Sequence, residues 1–185
     1  MTDLRLVGSS VSPYTRKVRA LLRYRRIPYQ FVRAGGRESE ALPPAPLPLI
    51  PYVILPDQNG ELTEAMGDTT PVINRLEDEY PERAVRPKDP ALAVIDALLE
   101  EFGDEWLSKC MFHFRWSKPA DTQTSSSYLA YAMNMTAAPE QGEAFARMFA
   151  ERQISRIGMV GSNETTGPLI EESWKRYLHV FDRHL

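Results

Sequence analysis

The residues best placed to do chemistry in this chain are Ser12, Pro13, Tyr14 and Thr15. They follow an apolar stretch, Leu4, Leu6 and Val7, and open a helical run from Arg16 to Tyr24, so they mark a strand-to-helix junction. Ser12 and Thr15 carry hydroxyls and no sulfur, which excludes dithiol redox chemistry at this spot. A helix N-terminus presents unpaired backbone N–H groups and a partial positive charge, so the junction suits a bound anion. Ser9 and Ser10 add hydroxyls in the same loop, and Tyr14 adds a phenol better suited to packing. Ser12 ahead of a proline also reads as a plain helix cap.

Asp68-Thr69-Thr70-Pro71 is a second helix start, with Asp or Thr as the cap and proline in the first turn. Cys110 and His113 lie one turn apart among Met111, Phe112 and Phe114, a setting of core packing. Two ligands of mixed type do not make a metal site, and no metal is assigned. Glu100, Glu101, Asp104 and Glu105 share a helical spacing that reads as a solvated face, and His179 and His184 do not share a face well. Trp106, Phe112, Phe114 and Trp116 read as core, with the lining of an apolar pocket as the alternative.

The elements that must position these residues fall into two kinds. Leu4 to Val7 reads as a buried strand and Arg16 to Arg26 as an amphipathic helix ended by Pro28. Tyr29 to Val32 alternates as a strand, and Gly35-Gly36 marks a turn before at most a short helix. Pro43 to Pro51 holds five prolines, so no helix runs through it. Tyr52 to Leu55 and Leu62 form a hairpin around Asn59-Gly60, and a helix over Val72, Ile73 and Leu76 stops near Tyr80-Pro81. That order, strand, helix, strand, irregular segment, hairpin, helix, predicts a compact α/β unit. Strand signals then vanish. Helices are expected over Ala91–Trp116, Ser125–Met135, Pro139–Met159 and Pro168–Leu185, behind a linker from Pro81 to Pro90. The fold class is α/β followed by all-α, with domains at 1–82 and 88–185.

At 185 residues, 43% hydrophobic and 25% charged, the composition is that of a soluble globular protein. No apolar run approaches a membrane span, and the start lacks a signal-peptide pattern. A lone cysteine, Cys110, fits a reducing compartment, and a cytoplasmic location is expected. The net charge of −3 is uneven: residues 1–40 hold nine Lys or Arg against three acids. Without aromatic platforms or a nucleic-acid module, that basic end reads as a solvated helix face that could also draw in a small anion, and no nucleic acid is expected.

Three segments carry a family resemblance: Ser12-Pro13-Tyr14-Thr15-Arg16-Lys17-Val18-Arg19, Ile50-Pro51-Tyr52-Val53 and Asp68-Thr69-Thr70-Pro71-Val72-Ile73. In this order and spacing they resemble the cytosolic glutathione S-transferases. Where glutaredoxins place Cys-Pro-Tyr-Cys, this chain has Ser-Pro-Tyr-Thr. The resemblance implies a thioredoxin-like N-terminal domain and a helical C-terminal domain. It implies glutathione as cosubstrate, with no permanently bound cofactor, and a small hydrophobic electrophile as second substrate. Ser12 would stabilise the glutathione thiolate, with Ser10, Ser9 and Tyr14 as runners-up. Ile50 beside a cis Pro51 would meet the cysteinyl portion, and Asp68 and Thr69 the γ-glutamyl end. A homodimer is implied too. The apolar stripe Trp174, Tyr177, Leu178, Phe181 and Leu185 runs to the last residue, where family members continue with further helices. The helical domain is therefore expected to be truncated or completed by a partner chain. The alternative reading is a non-catalytic binding or structural module on the same fold.

Overall fold

The computed structural model describes residues 3–184; Met1, Thr2 and Leu185, the last residue of the apolar stripe, lie outside the described residues. The chain divides into two compact units, Met1–Lys88 and Asp89–Leu185.

The first unit alternates β1 (Leu4–Gly8), α1 (Pro13–Arg25), β2 (Tyr29–Arg33), α2 (Arg37–Glu40), β3 (Tyr52–Pro56), β4 (Leu62–Gly67) and α3 (Thr69–Glu79). Its sheet runs β2-β1-β3-β4, with β1 and β2 parallel and the other neighbours antiparallel. This is a thioredoxin-like arrangement. Strand alternation sorts the apolar residues onto the two faces. Leu4, Leu6, Val53 and Leu55 pack against Val18 and Leu22 of α1 and Val72 and Leu76 of α3. Val7, Val32, Tyr52 and Ile54 form a smaller cluster joined by Leu42 and Ala45, the latter from the proline-rich segment.

The basic face expected on α1 is only partly solvated. Arg25 is buried, pairs with Glu77 of α3 at 2.7 Å and donates to the Tyr80 carbonyl. Glu77 in turn accepts from the Val85 and Arg86 backbone N–H groups at 3.3 and 3.4 Å. A buried charge pair of this kind requires both partners, because removing one leaves the other stranded.

The second unit contains α4 (Pro90–Phe102), α5 (Ser108–Trp116), α6 (Pro119–Met133), α7 (Pro139–Ile154) and α8 (Gly167–His184). The single helix expected over Ala91–Trp116 is divided by a π-helical turn, Gly103–Leu107, entered at a glycine that weakens the α-helical pattern. The helix expected from Ser125 begins at Pro119, with Lys118 extended before the proline and the proline at its first turn. Its opening residues, Ala120 to Ser125, lack apolar periodicity and so gave no helical signal. The helix expected to reach Met159 stops at Ile154, and a 3-10 turn covers Ile157–Val160. None of the α4 residues is buried, and Leu92 and Leu98 are 55% and 64% exposed.

Candidate functional site

The sheet register gathers three segments at one edge. Val7 of β1 stands opposite Tyr52 of β3, and Tyr52 opposite Gly67 of β4. So the loop leaving β1 (Ser9 to Ser12), the entry to β3 (Ile50-Pro51) and the exit from β4 (Asp68-Thr69) emerge at the same end. Two helices, α1 and α3, start there as well.

The first loop is fixed from both sides. Ser12 is half-buried and caps α1, its Oγ accepting from the Thr15 N–H at 3.3 Å. An Oγ that accepts keeps its own proton for donation outward. The Ser12 N–H donates to the Ser9 carbonyl at 3.0 Å, and Arg16 Nε donates to the Ser10 carbonyl at 2.9 Å. Thr15 turns inward and is fully buried, its Oγ1 accepting from the Ser9 N–H at 3.3 Å. The two hydroxyls of the tetrad therefore differ in duty: Thr15 locks the loop, and Ser12 faces the helix end. Gly8 makes this packing possible, because an added Cβ would lie 2.6 Å from Thr15 Oγ1. Ser9 is half-buried, Ser10 exposed and Tyr14 half-buried.

The Ile50–Pro51 peptide bond is cis, as the resemblance implied, with Pro51 buried and Ile50 39% exposed. Asp68 caps α3, its carboxylate accepting from the Thr70 N–H at 3.3 Å. Asp68 sits at φ 66°, a region side-chain-bearing residues rarely adopt. Thr69 is buried and its Oγ1 accepts from Lys17 Nζ at 3.2 Å. Lys17 thus ties α1 to the start of α3. Sequence reasoning missed it, since a lysine on a basic helix carries no signal of a partner 52 residues away.

No acid stands in the first turn of α1 or at its Ser12 cap, so that helix end keeps its positive character, whereas α3 carries the Asp68 carboxylate at its cap. With Lys17 between them, the edge can hold an anion, while Asp68 is a carboxylate for a cation.

The other singled-out residues lie in the helical unit. Cys110 is half-buried, and burial pushes its thiol pKa up, away from reactivity. His113 is buried and bonded to Ser162 and Glu171, partners the sequence did not connect with it. Trp116 packs on Phe112 and Phe149, and Phe114 on Trp174, as core aromatics do. Trp106 is 59% exposed, with Lys109 Nζ 4.5 Å from its ring centroid. Among the described residues no helix is long and apolar enough to cross a membrane.

Residues 6–84 match the family model described as glutathione S-transferase, N-terminal domain. No curated protein matches the chain. Among solved structures, a Tau class glutathione S-transferase from mango, Mangifera indica, is 17% identical with a TM-score of 0.50, over 90% of this chain and 84% of that one. A beta-etherase from a Sphingobium species is 16% identical with a TM-score of 0.50, over 86% and 70%. A glutathione S-transferase from Methylobacterium radiotolerans, solved in complex with glutathione sulfonate, is 19% identical with a TM-score of 0.44, over 83% of this chain. The chain spans 63% of the length of that protein. The likeness to the mango and Sphingobium proteins, at this identity, is one of fold. The resemblance to the glutathione S-transferases thus rests on residues 6–84, the part of the chain that matches the model of their N-terminal domain.

Proposed function

We propose that the chain binds glutathione at the sheet edge and stabilises its thiolate for attack on a small hydrophobic electrophile. The observation that carries this reading is the register that brings Ser12, the cis Ile50–Pro51 bond and Asp68-Thr69 to one end of the sheet. Glutathione is an extended tripeptide, and each segment answers one part of it. Ile50, ahead of the cis bond, offers backbone groups to the cysteinyl unit as an added strand would. Thr69, with its N–H at a helix start, suits the γ-glutamyl carboxylate, and Asp68 suits the ammonium. Lys17 adds positive charge beside that carboxylate.

Ser12 donates its hydroxyl to the sulfur. A free thiol has a pKa of about 8.5, so only a few per cent is thiolate at neutral pH. A hydrogen bond to a charged acceptor contributes about 1.5–3 kcal/mol, equivalent to about one to two pKa units. The helix end adds about 0.3–1 kcal/mol. Together these make much of the bound thiol nucleophilic, with the sulfur displacing or adding at the electrophilic carbon. On this reading the domains are 1–82 and 88–185, the protein acts in the cytoplasm, and a homodimer, checked by sedimentation, is its assembled form.

The test is Ser12→Ala assayed with glutathione and a chlorodinitrobenzene-type electrophile. Conjugation falls about 10–100-fold from the lost charged hydrogen bond, while calorimetric affinity for glutathione changes little. Unchanged turnover removes Ser12 from the mechanism and promotes Ser10, Ser9 or Tyr14. A second reading is a non-catalytic binding or structural module, in which Ser12 serves only as the cap that its bond to the Thr15 N–H makes it. That reading holds if no conjugation is measured, and no heat at millimolar glutathione favours it over catalysis.

A further inference from the structure

Within the helical unit, three side chains from separate segments meet in a polar relay. His113 on α5 is 3% exposed, and its Nδ1 lies 2.7 Å from the Oγ of Ser162, itself 3% exposed. The other ring nitrogen, Nε2, lies 3.4 Å from Glu171 Oε1 on α8. Lys118 Nζ stands 3.5 Å from the same oxygen. The hydrogen bond from His113, followed by the charge of Lys118, holds the Glu171 carboxyl below its ordinary range, so it is an acceptor. In the tautomer with its proton on Nε2, the ring donates to Glu171 and Nδ1 accepts from the Ser162 hydroxyl.

The surroundings hold this arrangement in place. Ser162 follows Gly161, whose φ is +79°, and precedes a reciprocal cap in which Asn163 Oδ1 accepts from the Thr166 N–H and Thr166 Oγ1 from the Asn163 N–H, both at 3.0 Å. Gly167 leaves room for the ring: an added Cβ would lie 3.2 Å from His113 Cε1. The three residues line a cavity of about 530 Å³ together with Trp116, Ser117 and Lys118. The Ser117 Oγ is buried there without a hydrogen-bond partner, a polar atom with capacity to spare for a ligand.

We propose that Ser162, His113 and Glu171 form a second reactive centre that hydrolyses small carboxylic esters. Such a triad is defined by geometry and roles, not by order in the chain. Ser162 Oγ attacks the ester carbonyl carbon while its proton passes to His113 Nδ1. The carbon–oxygen bond to the alcohol breaks, and the alcohol leaves with that proton. Water then attacks the acyl-serine, giving a proton to Nδ1, and the acid departs as Ser162 regains its hydrogen. Glu171 holds the imidazole in the required tautomer. Ser117 and Lys118 are the donors in the cavity for the developing oxyanion.

The centre is independent of glutathione binding, and its test is separate. The full chain is treated with a fluorophosphonate probe and mapped by mass spectrometry, and in parallel assayed for hydrolysis of p-nitrophenyl acetate. The expected result is an adduct on Ser162 and measurable hydrolysis of the acetate. His113→Gln, checked for folding by circular dichroism, lowers the labelling rate about 10²–10⁴-fold. Absence of an adduct on Ser162 in the folded wild-type chain overturns the proposal, whatever the variants do. An equal labelling rate in folded His113→Gln overturns it too, leaving the relay a tie between α5 and α8.

Discussion

Substituting alanine at Gly8 tests how the Ser12 loop is held. The added Cβ meets Thr15 Oγ1 at 2.6 Å and Cγ2 at 2.7 Å, both inside any tolerable approach. Thr15 is fully buried on α1 and β-branched, so it has few rotamers into which to retreat. Relief must come from separating β1 from α1, at about 1–3 kcal/mol for overpacking. Moving Thr15 also strands the Ser9 N–H that donates to it at 3.3 Å, adding about 1 kcal/mol. Gly8→Ala should therefore cost about 2–4 kcal/mol in urea unfolding, as a lower midpoint at an unchanged slope. Thr15→Ala alone should cost about 1–2 kcal/mol. In the double variant the close atoms are gone, leaving only a Cβ contact at 3.2 Å. The pair should then be less damaging than the sum by about 1 kcal/mol or more. Calorimetric titration on the same proteins should show glutathione affinity falling in Gly8→Ala and partly returning in the double variant. Costs that simply add would refute the steric account.

Arg25→Met should destabilise the N-terminal unit by about 3–5 kcal/mol by leaving Glu77 without its partner, whereas Arg25→Met with Glu77→Leu should be far milder; thermal unfolding measures both. Asp68→Asn keeps a capping side chain, so stability should change by less than about 0.5 kcal/mol. The lost charge should still weaken glutathione binding about tenfold by calorimetry. The pKa of Glu171 lies below its ordinary 4.5 in the folded chain, so its contribution is present above that pH and is lost as pH falls through the folded value. Melting curves at about pH 6 and about pH 3.5 should show Glu171→Gln losing less stability on acidification than the wild type.

What the sequence revealed and what it hid divide along physical lines. Alternation in Tyr29 to Val32, the Asn59-Gly60 turn and the capping residues of α1 and α3 are local signals, and the elements they announce are present. The cis bond at Pro51 was implied by resemblance alone, because five neighbouring prolines offer no local distinction. Polar partners far apart in the chain left no trace. Lys17 finds Thr69, Arg25 finds the Tyr80 carbonyl 55 residues away, and His113 finds Ser162 49 residues away. Each was read as an ordinary surface or core residue of its own helix. The π-turn at Gly103 and the unpatterned start of α6 escaped for a different reason: apolar periodicity reports where a helix is amphipathic, not where it begins or changes pitch.

The segment from Pro43 to Pro51 has a thermodynamic consequence. Five of its nine residues have a φ locked by a ring and lack an N–H that would otherwise seek an acceptor. The unfolded chain there samples few shapes, so little disorder is surrendered when the wall beside Ile50 takes its native form. A small molecule arriving at that wall meets a surface already frozen by covalent rings rather than by its own binding energy.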